Sequence, residues 1–150
     1  MLINENLQII CNQLHEAMPR FRDQFFVDIC NELVTLGAVP DEDDFWLICF
    51  SIQNVEAHIL NQTNQATVPE GLLPAAVDMV CGNFIQTKYL SGKLCLADLH
   101  FEEAVKTVTE GDTSVTFETG ESDDSKIKKL IDWLSNGKGC DLLCYRKMRW

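Results

Sequence analysis

Between Leu7 and Met18 the apolar positions fall at Leu7, Ile10, Cys11, Leu14 and Met18, the three- and four-residue steps of one helix face. Pro19 interrupts the pattern. It resumes from Arg20 with Phe21, Phe25, Ile29, Leu33 and Leu36, and Gly37 is placed to close the helix as a C-cap. Residues 4–36 therefore read as helical. Pro19 either kinks one helix or separates two, and sequence alone does not decide between them.

After Ala38-Val39-Pro40 come four acids, Asp41-Glu42-Asp43-Asp44. They could mark a metal site or an acidic patch. They also fit a helix start, with Asp41 as N-cap and the rest in a first turn whose dipole favours negative charge. The helix they open runs over 41–62. Its stripe of Phe45, Ile48, Ile52, Val55 and Ile59 steps 3, 4, 3, 4, the rhythm of helix–helix packing. Asn61 to Gln65 reads as a polar loop.

The chain is organised around 69–91. Leu72, Leu73, Ala76, Val77, Met79, Val80, Cys81, Phe84, Ile85 and Leu90 cover most of a helix's circumference. A helix apolar nearly all round is buried on several sides, so this one is expected at the centre of a bundle. Pro69 suits a helix start. Pro74 either lies in the first turn or bends the helix. Gly92 is a stop signal.

Beyond Gly92 the character changes. Leu94 to His100 is apolar without a clear period. Val105–Thr109 and Ser114–Phe117 are rich in β-branched residues, and Glu110-Gly111-Asp112 supplies turn chemistry. Residues 104–117 are expected to form a β-hairpin, which must pack on the bundle or pair with another chain to be stable. Residues 126–136 form a further amphipathic helix with Ile127, Leu130, Ile131 and Leu134 on its apolar face. Asp123, Asp124 or Ser125 caps it and Gly137 stops it. Residues 138–150 are an extended tail.

The expected fold class is thus mainly α. A small helical bundle surrounds a central buried helix, with an inserted β-hairpin and an extended C-terminal tail, in a single domain over 1–150. A hydrophobic content of 46% fits a globular chain. The net charge of −11 argues against tight binding of nucleic-acid phosphate. Seven cysteines, an odd number without a CxxC pair, read as free thiols in a reducing cytosol. The N-terminus has no basic signal-peptide region, and no apolar run is long enough to cross a membrane.

Catalytic chemistry finds little support. His15, His58 and His100 are scattered, and Cys49 and His58 lie too far apart on one helix to touch. Ser114 lacks a nucleophile elbow. No phosphate loop or calcium loop occurs, and Glu102-Glu103 fits a solvated strand edge. No enzyme, cofactor or metal site is expected. The tail is the stronger interaction candidate: Tyr145, Arg146, Lys147, Arg149 and Trp150 are residue types that anchor interfaces, in an otherwise acidic chain. Alternatively, the tail folds back on its own bundle.

The order of these pieces resembles the small head–tail connector proteins of long-tailed bacteriophages and Gram-positive prophages. The resemblance runs from about residue 40 to the end. Its most telling stretches are Glu110-Gly111-Asp112-Thr113-Ser114-Val115-Thr116-Phe117 and Tyr145-Arg146-Lys147-Met148-Arg149-Trp150, while the first 36 residues match the pattern least. The resemblance implies a structural virion protein, assembled in the bacterial cytoplasm. It would form a ring of about a dozen copies under the portal protein and extend the DNA channel, matching the portal's cyclic symmetry. DNA would pass without specific binding, and a downstream stopper or tail-completion protein would follow. Tyr145, Arg146, Lys147, Arg149 and Trp150 would face the portal. Gly111, Asp112, Thr113 and Ser114 would form a subunit-contact or channel loop. The competing reading is a cytosolic α-helical adaptor or regulatory protein that binds one protein partner.

Overall fold

The computed structural model describes residues 5–93, 123–136, 142 and 144–148. Among the described residues five helices carry the fold: α1 (Glu5–Ala17), α2 (Asp23–Leu36), α3 (Phe45–Thr63), α4 (Leu73–Leu90) and α5 (Asp123–Asn136). Short 3-10 turns at Glu42–Asp44 and Glu70–Leu72 lead into α3 and α4. Among the described residues all regular structure is helical. The expected hairpin at 104–117 lies outside them.

Residues 4–36 are two helices rather than one kinked helix. Pro19 sits in the turn between them, where Phe21 N–H donates to the Met18 carbonyl at 3.2 Å. The two helices run antiparallel, since Cys11 and Cys30, each about two turns from that turn, bring their Sγ atoms within 3.5 Å. The turn is packed with rings. Phe21 stacks on Phe25 at 4.8 Å between centroids, and both meet Phe26 edge-on. At the far end of α2, Gly37 takes φ 88° and completes a Schellman cap, with Gly37 N–H to the Val34 carbonyl and Ala38 N–H to the Leu33 carbonyl.

α4 is the centre of the bundle. It packs against α2, α3 and α5. Leu72, Ala76, Val77, Met79, Val80, Cys81, Phe84 and Ile85 are all buried. Pro74 lies in the first turn of α4, where its missing N–H removes no intrahelical bond. Leu90 departs from the expected pattern. It is 74% exposed, at the last residue of α4.

Close approach of α5 to α4 depends on Gly82. A β-carbon there would lie 2.8 Å from Ser135 Oγ and 2.9 Å from Leu134 Cβ. α5 meets this surface with the expected face, Ile127, Leu130, Ile131 and Leu134, all buried. The remaining core stripes are Leu7, Ile10, Cys11, Leu14 and Met18 on α1 and Ile48, Ile52, Val55 and Ile59 on α3. No helix among the described residues is long and apolar enough to cross a membrane.

Candidate partner-binding surface

The C-terminal tail is held at one end of α3 by backbone chemistry. An α-helix leaves its last carbonyls without intrahelical partners. At α3 one of them is taken by the tail: Lys147 N–H donates to the Thr63 carbonyl at 2.7 Å. Asn64 follows in the left-handed conformation at φ 54°, which ends the helix. Its side-chain Nδ2 donates to the Lys147 carbonyl at 2.9 Å, and Gln65 Nε2 donates to the Tyr145 carbonyl at 2.5 Å. Leu142, buried in the core, anchors the start of this segment.

Tyr145 packs over Gly71. A β-carbon at Gly71 would run into its hydroxyl and ring, so the missing side chain is what admits it. The tail therefore folds back on its own bundle through Leu142, the backbone of 145–147 and the Tyr145 ring. Arg146, Lys147 and Met148 remain exposed. Two cations and an apolar side chain thus project from a segment fixed at both sides of the Lys147 peptide. Arg149 and Trp150 lie outside the described residues, as do Gly111, Asp112, Thr113 and Ser114.

Next to this loop is a cleft of about 420 Å³ between the α1–α2 turn, α3 and the segment leading into α4. Two ion pairs flank it. Arg20 Nε meets Glu56 Oε2 at 2.7 Å and Arg22 Nη1 meets Glu70 Oε1 at 2.6 Å. Each cation is matched by its own carboxylate, so the cleft offers no surplus charge to an ionic ligand.

The opposite end of α3 carries a second surface. Asp41, Glu42 and Asp43 are exposed, and beside them Trp46 is 66% and Phe50 56% exposed. The two rings stack, with centroids 6.2 Å apart and planes at 29°. Asp44 behaves differently from its neighbours. It accepts the Asp41 N–H at 2.8 Å, the return half of a capping box whose N-cap residue is Asp41, as expected, but it is itself buried and receives Lys88 Nζ at 3.1 Å on both oxygens. The acidic run is thus part cap, part inter-helix clamp and part exposed rim.

Of the described cysteines, Cys11, Cys30, Cys49 and Cys81 are buried and Cys144 is exposed. Burial pushes the Cys81 thiol up, and it donates weakly to the Ile29 carbonyl at 3.7 Å. Near it, burial first and then the neighbouring Asp78 carboxyl push the Glu32 carboxyl up to about 9. Glu32 is therefore protonated at neutral pH. Among the described residues no group of three or more His, Cys, Asp or Glu side chains could hold a metal ion.

The chain matches no known protein-family model, no curated protein and no solved structure. Its function must then be argued from its own surfaces.

The sequence pattern singled out the tail but missed what holds it. Asn64 and Gln65 read as loop residues, and Gly71 as part of the 69–91 helix. The available signal was an Asn placed to end a long helix in the left-handed region. The exposed Trp46–Phe50 pair was also missed, because Phe45 beside it satisfied the core stripe.

Proposed function

We propose that this chain is a structural connector subunit of a phage or prophage virion. It docks in a ring beneath the portal protein and extends the DNA channel, in contact with a downstream stopper or tail-completion protein. The tail carries this reading. Arg146 and Lys147 are the exposed cations of a segment pinned to an acidic bundle by Thr63, Asn64 and Gln65. A subunit whose business was internal would have no need to fix a basic segment outward in this way. Tyr145, Arg146, Lys147, Arg149 and Trp150 form the portal-facing surface, and Gly111, Asp112, Thr113 and Ser114 a loop that contacts a neighbouring subunit or the channel. The charge of −11 supports a conduit role, since a ring of acidic subunits repels DNA and lets it pass.

The test is co-sedimentation with an assembled portal from the same genome. The intact chain is expected to travel with the portal, and a chain truncated after Gly139 is not. If both bind, the connector role holds and the tail assignment falls. If neither binds, the reading is wrong, and an adaptor serving a single cytosolic partner takes its place.

A further inference from the structure

The two surfaces at the ends of α3 are complementary in chemistry. One presents Arg146, Lys147 and the apolar Met148, which is 74% exposed. The other presents Glu42 and Asp43 beside the stacked Trp46 and Phe50 rings. Cations over an exposed indole face, rimmed by carboxylates, gain from both the ring quadrupole and the charge. Methionine against an aromatic edge adds a favourable contact.

The two surfaces cannot meet within one molecule. The tail is pinned at Thr63 and the aromatic pair sits at Trp46. At the helical rise these are about 25 Å apart along α3. That is several times the reach of a lysine side chain. A symmetric pairing of two aromatic patches is disfavoured, because it would oppose two acidic rims.

We infer that the Trp46–Phe50 face is the docking site for the basic tail segment, Arg146–Met148, of a second copy of this chain. The contact is heterologous: each copy offers its tail to one neighbour and its aromatic face to another. Such contacts close into a ring when the rotation between copies allows and otherwise continue as a filament. The inference rests on the partner-binding reading of the tail given above, and the portal competes for the same segment.

The experiment is sedimentation equilibrium of the purified full chain at low salt, using charge reversal at each surface. One variant carries Glu42→Lys and Asp43→Lys. The other carries Arg146→Glu and Lys147→Glu. All four side chains are exposed, and the tail is held through its backbone, so both variants are expected to keep the helical signal of the parent. The parent is expected to self-associate at roughly 100 µM, more weakly as salt rises. Each variant alone should lose about tenfold or more in association constant. Mixing the two should restore association, because each then finds a reversed partner. Trp46→Ala should weaken association without changing its salt dependence.

A parent that stays monomeric under these conditions overturns the inference. So does a mixture that fails to recover association while both variants remain folded. Portal binding by a chain that does not self-associate would leave the connector role standing and remove only this contact. Self-association without portal binding would do the reverse.

Discussion

Lys88 reaches from the last turn of α4 to place its ammonium 3.1 Å from both carboxylate oxygens of Asp44, at the start of α3. The two side chains are only 14% and 10% exposed, and Lys88 Nζ also lies 5.8 Å from the Phe84 ring centre. Asp44 is committed twice, since it also accepts the Asp41 N–H. The pair fixes the register of α3 on the central helix.

Removing one partner strands a nearly buried charge. Lys88→Met is expected to cost about 3 kcal/mol in urea unfolding. Asp44→Asn keeps the acceptor for Asp41 but loses the ion pair, and should cost nearly as much. Combining the two should cost clearly less than their sum, because neither charge is then left alone. An additive double variant would mean that the pair is not coupled.

Glu32 gives the fold a pH dependence of definite sign. Its carboxyl is pushed up to about 9 in the folded chain, first by burial and then by the neighbouring Asp78 carboxyl, from an ordinary value of 4.5. Its contribution is fully present below that ordinary value and is lost as pH rises through the folded one. In that window the unfolded chain releases a proton that the folded chain retains, so stability falls by up to about 1.4 kcal/mol per pH unit. Glu32→Gln should flatten urea-unfolding stability between pH 5 and pH 8 and leave the variant more stable than the parent at pH 8. An unchanged slope would contradict this.

Gly82 is a position where a larger side chain should do harm. Alanine usually gains about 1 kcal/mol over glycine within a helix. Here its Cβ would press on Leu134 Cβ at 2.9 Å and the Ser135 backbone nitrogen at 3.3 Å. Gly82→Ala is expected to destabilise by about 1–2 kcal/mol overall, with Gly82→Val worse. Circular dichroism melts would reveal the opposite trend if α5 were free to shift.

These relationships divide into what the sequence carries and what it hides. The helix faces were legible because burial of one side leaves a three- and four-residue period, as in Ile127, Leu130, Ile131 and Leu134. The central position of α4 was legible because a helix packed on several sides must be apolar on several sides. Pairings between distant positions were not. Asp44 looks like its acidic neighbours until Lys88 arrives from forty-four residues away. Gly82 looks like a weak point in a helix until α5 is laid across it. Phe26 and Cys30 escaped the α2 stripe because that helix is buried more widely than a single face requires. At the tail, Tyr145 to Lys147 stood out by charge and ring content, whereas in its dock the side-chain amides of Asn64 and Gln65 bond to tail carbonyls, which leave no mark on the tail's own sequence.

The dock itself is open to test. Asn64→Ala removes the donor to the Lys147 carbonyl and places a side chain unsuited to φ 54° at the helix end. It should cost about 1 kcal/mol and speed hydrogen exchange at the Lys147 amide, which bonds to the Thr63 carbonyl. Asn64→Gly tolerates the backbone conformation and should affect exchange at Lys147 more than global stability. Unaltered exchange in both variants would mean that the tail is held elsewhere.

The central claim is that the chain builds a ring on a portal. Electron microscopy of the portal with and without the intact chain tests it most directly. The account predicts an added layer of density beneath the portal, with the portal's own cyclic symmetry and one copy of this chain per portal subunit. A portal that shows no added layer at saturating chain, or single copies attached without ring order, would contradict it.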